Sequence, residues 1–221
     1  MNKTLQRTLL EHGWLRAAAA LIALCAVGGA AMAEAVDLPE IVIVPDPPAP
    51  LELVYPVEQR VIWDGADVDG DGAADFLNPT GEAPREHDGY GDGYFGASRD
   101  GGSRDHEGVD YTGAPGHQVK APMSGYVTKI GQAYDDGPAL RYVEISNPAL
   151  SFQARVFYID PQVRVGDSVA LGDVIGKVAN LNRRYRGITN HVHLEIKDQT
   201  GRRIDATKVI TARIETVRVG A

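Results

Sequence analysis

The sequence predicts an all-β fold. From about residue 106, short runs rich in β-branched and aromatic residues alternate with Gly, Pro and Asp turns: "GVDYTG", "GYVTKIG", "LRYVEIS", "ARVFYID", "DVIGKVA" and "HVHLEI". No window carries a 3.6-residue apolar period, and no internal repeat is present. The expected body is a sheet or barrel-like domain over residues 94–213. Its only helical feature is one short turn at "DATKVI", capped by Asp205.

The segments before that body differ from it in composition. Residues 1–33 carry Lys3, Arg7 and Arg16, then "AAAALIALCAVGGAA", then Ala31-Met32-Ala33. A basic start, a short apolar run and a small-residue site predict a signal peptide cleaved after Ala33. The run is about 15 residues, short of the ~20 that cross a bilayer. The expectation is a secreted or periplasmic protein with no stable membrane span after cleavage. Cys25, the only cysteine, lies in that leader, and Leu24 before it does not suit a lipidation site. The mature chain then has no thiol, which excludes disulfides and Cys-bound zinc. Any metal must be held by His, Asp or Glu.

The whole chain has a net charge of −8, and the leader's three basic residues and Glu11 sum to +2, so the remainder carries −10. No basic tract is present to neutralise phosphates, which argues against nucleic acid as a partner. Residues 34–62 include "LPEIVIVPDPPAPLELVYP", whose six prolines predict an extended arm or linker, with "EIVIV" as a candidate edge strand. Residues 63–93 form an Asp/Gly-rich loop region.

Within that region, Asp67, Asp69, Asp71 and Asp75 occupy positions 1, 3, 5 and 9 of a calcium loop, with Gly72 at position 6. Asn78 stands where a bidentate Glu is usual, and no helices flank the segment. Ca²⁺ binding and a solvated acidic turn are both compatible with this pattern.

Two segments carry the chemistry. In "NHVHLEI", His191 and His193 are two apart on a strand and share a face, while Val192 and Leu194 face the other way. Alone, such a pair also fits solvent-facing histidines on an edge strand. In "RDHEGVDYTG", His106 and Asp110 are four apart in an extended segment and again share a face. Two His and one carboxylate make a three-ligand zinc site with one open position. One histidine of the set is left over as a base beside it.

These residues resemble a known family. "HEGVD" followed by "APGHQVKAPMSGYV", then "VRVGDSVALGDVIGKV" and "NHVHLEI", is similar to the motif order of the zinc metallopeptidases that include LytM and lysostaphin. The resemblance covers about residues 95–198. It implies a compact, largely antiparallel β-sheet with a groove over Zn²⁺, and peptidoglycan peptides as substrate. By the same resemblance His106, Asp110 and His193 are the zinc ligands and His191 is the catalytic neighbour. Zinc would polarise the scissile carbonyl and activate its bound water, with His191 accepting a proton or stabilising the oxyanion. Phe95, Gly96 and Arg99 resemble a segment bordering the family's groove. Arg99 would hold a substrate carboxylate or pair with nearby aspartates.

One position departs from the pattern. Active members carry a further histidine before the "VGD" turn, and here "ARVFYID" puts Tyr158 at that register. This variant also resembles the vertebrate leukocyte-derived chemotaxin, which implies zinc binding without peptidase activity. A tyrosine hydroxyl can still donate to an oxyanion. Two readings therefore stand: a peptidoglycan endopeptidase using His191 and Tyr158, and a catalytically silent zinc module that binds cell wall or regulates cell-wall enzymes. Of the other histidines, His117 is expected to be exposed, and His87 could approach the site from the upstream loop. Glu195 shares the ligand face, either as an outer partner of His193 or as an exposed strand carboxylate.

Overall fold

The backbone alternates short strands and tight turns through a computed structural model that describes residues 56–136 and 139–219. The leader and "EIVIV" lie outside the described residues. Thirteen strands follow in order: β1 (Val57–Gly65), β2 (Ser98–Arg99), β3 (Arg104–Asp105), β4 (Val109–Thr112), β5 (Gln118–Lys120), β6 (Gly125–Gln132) and β7 (Arg141–Asn147). Then come β8 (Phe152–Pro161), β9 (Ser168–Val169), β10 (Val174–Val178), β11 (His191–Lys197), β12 (Arg203–Ile204) and β13 (Ile210–Arg218). The only helical pieces among the described residues are three short 3₁₀ turns. One is the expected turn at Ala206–Lys208, where the Asp205 carboxylate accepts the Thr207 N–H. No helix among the described residues is long and apolar enough to cross a membrane.

The main sheet runs β12-β11-β8-β7-β6-β9, with β4 beside β11 and β10 pairing both β5 and β8, all antiparallel. One face forms the core. Val192, Leu194 and Ile196 of β11, Ala154 and Val156 of β8, and Val143 and Ile145 of β7 are fully buried there. Period-two alternation sends His191, His193 and Glu195 to the opposite face.

A bulge in β8 breaks that alternation. Tyr142 pairs Phe157 while Arg141 pairs Ile159, so Tyr158 is the extra residue. Its φ is +64°, in the left-handed region that β-branched and bulky residues rarely enter. The core parity passes from Val156 to Ile159, and both Phe157 and Tyr158 line the groove.

The body is larger than residues 94–213. β1 pairs β13 over nine residues, from Val57↔Arg218 to Gly65↔Ile210, so the expected arm ends as a strand and the C-terminal strand reaches Arg218. Most of this ribbon is exposed, so neither partner carries the one-sided apolar alternation that marks a strand in sequence. Phe76, within the Asp/Gly-rich region, is fully buried and packs edge-on to Phe152, with ring centroids 5.3 Å apart. That apolar anchor, with Trp63 and Ala66 packed against the same core and the Leu77 N–H bonded to the Pro122 carbonyl, docks the region onto the sheet.

Candidate metal centre

β11 and β4 build the site side by side. Their register sets His193 opposite Asp110 and His191 opposite Thr112. His106 enters from the turn before β4. Gly108 lies where a Cβ would meet the Leu194 carbonyl oxygen at 2.4 Å and the His193 ring at 2.7 Å. Only glycine lets the His106–Asp110 segment approach β11 this closely.

Each imidazole is oriented from behind. The Tyr94 carbonyl can only accept, so His106 Nδ1–H donates to it (2.8 Å) and leaves the Nε2 lone pair facing inward. The Thr189 carbonyl likewise takes His191 Nδ1–H at 2.6 Å. His193 Nε2 faces Glu195 Oε1 at 3.5 Å, which turns its Nδ1 inward. His106 Nε2, His193 Nδ1 and Asp110 Oδ1 then converge at 2.8, 2.9 and 3.1 Å from one another. His191 Nε2 stands 3.6 Å from Asp110 Oδ2.

Inward-facing lone pairs at this spacing repel unless positive charge sits among them. Burial works to lower the His193 pKa, but Asp110 and Glu195 outweigh it and raise it to about 9. Burial opposes ionisation of Asp110, yet its bonds to His106 and His193 hold it well below the usual carboxylate range. The cluster therefore draws a proton onto His193, and a divalent cation held by His106, Asp110 and His193 answers the same demand. This nitrogen and carboxylate donor set, with the outer nitrogens already bonded, fits zinc. His191 behaves differently: burial lowers its pKa despite Asp110, so it stays neutral with Nε2 free.

Above the cluster lies a cleft of ≈ 360 Å³, lined on one side by Tyr90, Tyr134 and Tyr185 and on another by Arg99 and Arg104. The Tyr158 ring stands edge-on to His191, with centroids 5.5 Å apart. Its hydroxyl shares a 2.7 Å hydrogen bond with that of Tyr134, and burial pushes its pKa up to about 12.

Arg99 is engaged with the protein: its Nη2 donates to the Asp92 carbonyl at 2.5 Å and stands 3.7 Å from Asp110 Oδ2. Glu195 is buried, with Oε2 accepting Arg203 Nε at 3.1 Å, so it takes the outer-partner position beside His193. His87 does not approach the site; it is 73% exposed and bonded to Asp92. His117 is half-buried rather than exposed. Asp67, Asp69 and Asp71 do cluster, but Asp67 accepts the Gly70 and Gly72 N–H groups, Asp69 that of Asp71, and Asp71 that of Ala73. Asp75 is turned to the Val68 N–H instead and lies outside the cluster.

Arg85 and Asp88 have no counterpart in the sequence expectations. Arg85 is buried, with Nη2 and Nε at 2.9 and 3.3 Å from Asp110 Oδ2. A lone arginine in an acidic, glycine-rich stretch carries no periodic or motif signal that marks it as buried.

Peptidase family M23 matches residues 104–206. Leukocyte cell-derived chemotaxin-2 of Mus musculus is 32% identical over 116 residues, which cover 52% of this chain and 74% of the relative. The chain belongs to peptidase family M23. Its M23 match holds all three candidate ligands and His191, while Arg85, Asp88 and Arg99 precede it. Myeloid protein 1 of Gallus gallus is 35% identical over 56% of this chain, and the chain spans only 37% of that relative's length. Among solved structures, the catalytic domain of the antimicrobial peptidase lysostaphin from Staphylococcus simulans aligns with 23% identity and a TM-score of 0.42, covering 54% of this chain and 88% of that one.

Proposed function

We propose that this M23 protein is an exported zinc endopeptidase that cuts peptide bonds of bacterial peptidoglycan. The observation that carries the reading is the inward convergence of His106 Nε2, His193 Nδ1 and Asp110 Oδ1 beside a neutral His191. Bound zinc would act as a Lewis acid on the scissile carbonyl and make water nucleophilic near neutral pH. His106, Asp110 and His193 would hold it. His191 accepts a proton at Nε2 while Thr189 keeps its Nδ1–H in place. Tyr158, kept protonated by burial, donates its hydroxyl to the oxygen that gains negative charge. The tyrosine wall of the cleft holds the substrate backbone away from water, and Arg99 borders the same cleft.

A second reading has its own support. Tyr158 stands where the family resemblance implies a histidine, and its hydroxyl is already bonded to Tyr134. This favours a zinc-holding module that binds cell wall or its enzymes without cutting.

One experiment separates the two. Purified mature protein is incubated with peptidoglycan sacculi, with and without a chelator, and the released muropeptides are analysed. Chelator-sensitive cleavage that disappears in His191→Ala, with zinc still bound, supports the peptidase. Sacculi left intact by fully zinc-loaded protein reject it and leave the binding module.

A further inference from the structure

We propose that Arg85 and Asp88 form a clamp that limits Asp110 to one metal-facing oxygen and, through Thr189, sets the ring of His191. Arg85 is then a positioning residue for the centre. The proposal rests on the metal-holding part of the function proposed above, not on peptidase activity.

The geometry forms a continuous relay from Asp110 to His191. Arg85 approaches Asp110 Oδ2 with both Nη2 and Nε, while its backbone N–H donates to the Asp110 carbonyl at 2.6 Å. Asp110 Oδ1 is left to His106 and His193. The other side of the guanidinium, Nη1, meets the Gly91 carbonyl at 2.7 Å and Asp88 Oδ1 at 2.8 Å. Asp88 Oδ2 accepts the Thr189 N–H at 2.9 Å, and the Thr189 carbonyl takes the Nδ1–H of His191. The relay therefore runs Asp110, Arg85, Asp88, Thr189 and His191, and it leaves His191 Nε2 3.6 Å from Asp110 Oδ2 with no hydrogen bond between them.

Two features argue that it acts on the centre rather than only holding a loop. A carboxylate with both oxygens free can bind a cation through either or both. Arg85 occupies one oxygen of Asp110 with a charge-assisted fork, which leaves a single donor for the metal. The partner segment is also built for close approach: a Cβ at Gly93 would meet the Arg85 carbonyl at 2.5 Å and Asp110 Cβ at 3.1 Å. Residues 85–93 lie before the M23 match, so the clamp is brought to the centre by a neighbouring segment of the chain.

The test uses full-length mature protein, loaded with zinc or cobalt, and needs no substrate. Arg85→Lys keeps the charge but cannot bridge Asp110, Asp88 and Gly91 together. Arg85→Met removes the charge. Asp88→Ala cuts the arm to Thr189 and leaves the Asp110 pair. Zinc affinity by chelator competition is expected to fall about 10–100-fold in both Arg85 variants. The visible bands of the cobalt form are expected to weaken as Asp110 becomes a two-oxygen ligand. In Asp88→Ala the cobalt bands are expected to stay, while the ¹⁵N signals of the His191 ring move. If Arg85→Met fails to fold, Arg85→Lys and Asp88→Ala carry the test. Wild-type zinc affinity and an unchanged cobalt spectrum in Arg85→Lys overturn the proposal. A wild-type protein that binds no zinc instead overturns the metal centre itself.

Discussion

Two groups of metal-type side chains lie among the described residues, and they differ in where their lone pairs point. Asp67, Asp69 and Asp71 are exposed, and each carboxylate accepts backbone N–H groups of its own loop. The Gly72 N–H above all lowers the Asp67 pKa. His106, Asp110 and His193 are largely buried, and their outward atoms are bonded to Tyr94, Arg85 and Glu195. The acidic loop uses its oxygens to make its turns. The buried cluster uses surrounding groups to keep its inner atoms free. Residue type and spacing suggest both groups, but only the second turns its inner donor atoms toward one another.

The largest expected effect comes from Asp110→Asn, which should weaken zinc binding by more than about 100-fold, beyond what loss of an outer partner costs. Asp69→Asn should leave zinc affinity unchanged by the same competition assay. Equal losses in the two variants would break the contrast.

Next is the pH dependence of the chelated protein. The raised pKa of His193 contributes stability that is fully present below 6.5 and lost as pH rises through about 9. The lowered pKa of His191 contributes stability present above 6.5 and lost as pH falls through its folded value. Thermal melting without zinc should therefore peak near pH 6.5. With zinc the melting temperature should rise from pH 6 to 8, because the ligands bind metal deprotonated. A flat profile for the chelated form would show that the cluster is not electrostatically coupled.

Gly108→Ala should cost about 1–3 kcal/mol, since the added methyl overpacks against the Leu194 carbonyl and the His193 ring. Urea unfolding measures it, and zinc affinity should fall with it. Asp67→Ala is expected to have the smallest effect, a lowered melting temperature with no change in zinc content. A rise in melting temperature on micromolar calcium, lost in this variant, would make the two groups alike.

Much of the site is legible before folding. "HEGVD" and "HVH" name His106, Asp110, His191 and His193, because strand alternation assigns faces without knowledge of neighbours. The glycine in "HEGVD" marks the close approach at Gly108. The β runs after residue 106 are legible for the same reason: one face is buried, so the pattern alternates. The β1–β13 ribbon is not, since both of its faces are largely exposed. Arg85 and Asp88 are not, since their roles depend on partners 25 and 101 residues away.

The sequence by itself determined the strand-rich class, the shared face of the ligand residues, the family likeness and the position of Tyr158 in place of a histidine. These follow from local pattern and residue chemistry. Tertiary structure decided how Tyr158 faces the cleft, because a bulge reverses the parity that alternation alone would give it. It also decided which atoms of the imidazoles face inward, and that one oxygen of Asp110 is taken by Arg85. Those outcomes come from hydrogen bonds between segments distant in the chain, which a periodic pattern does not encode.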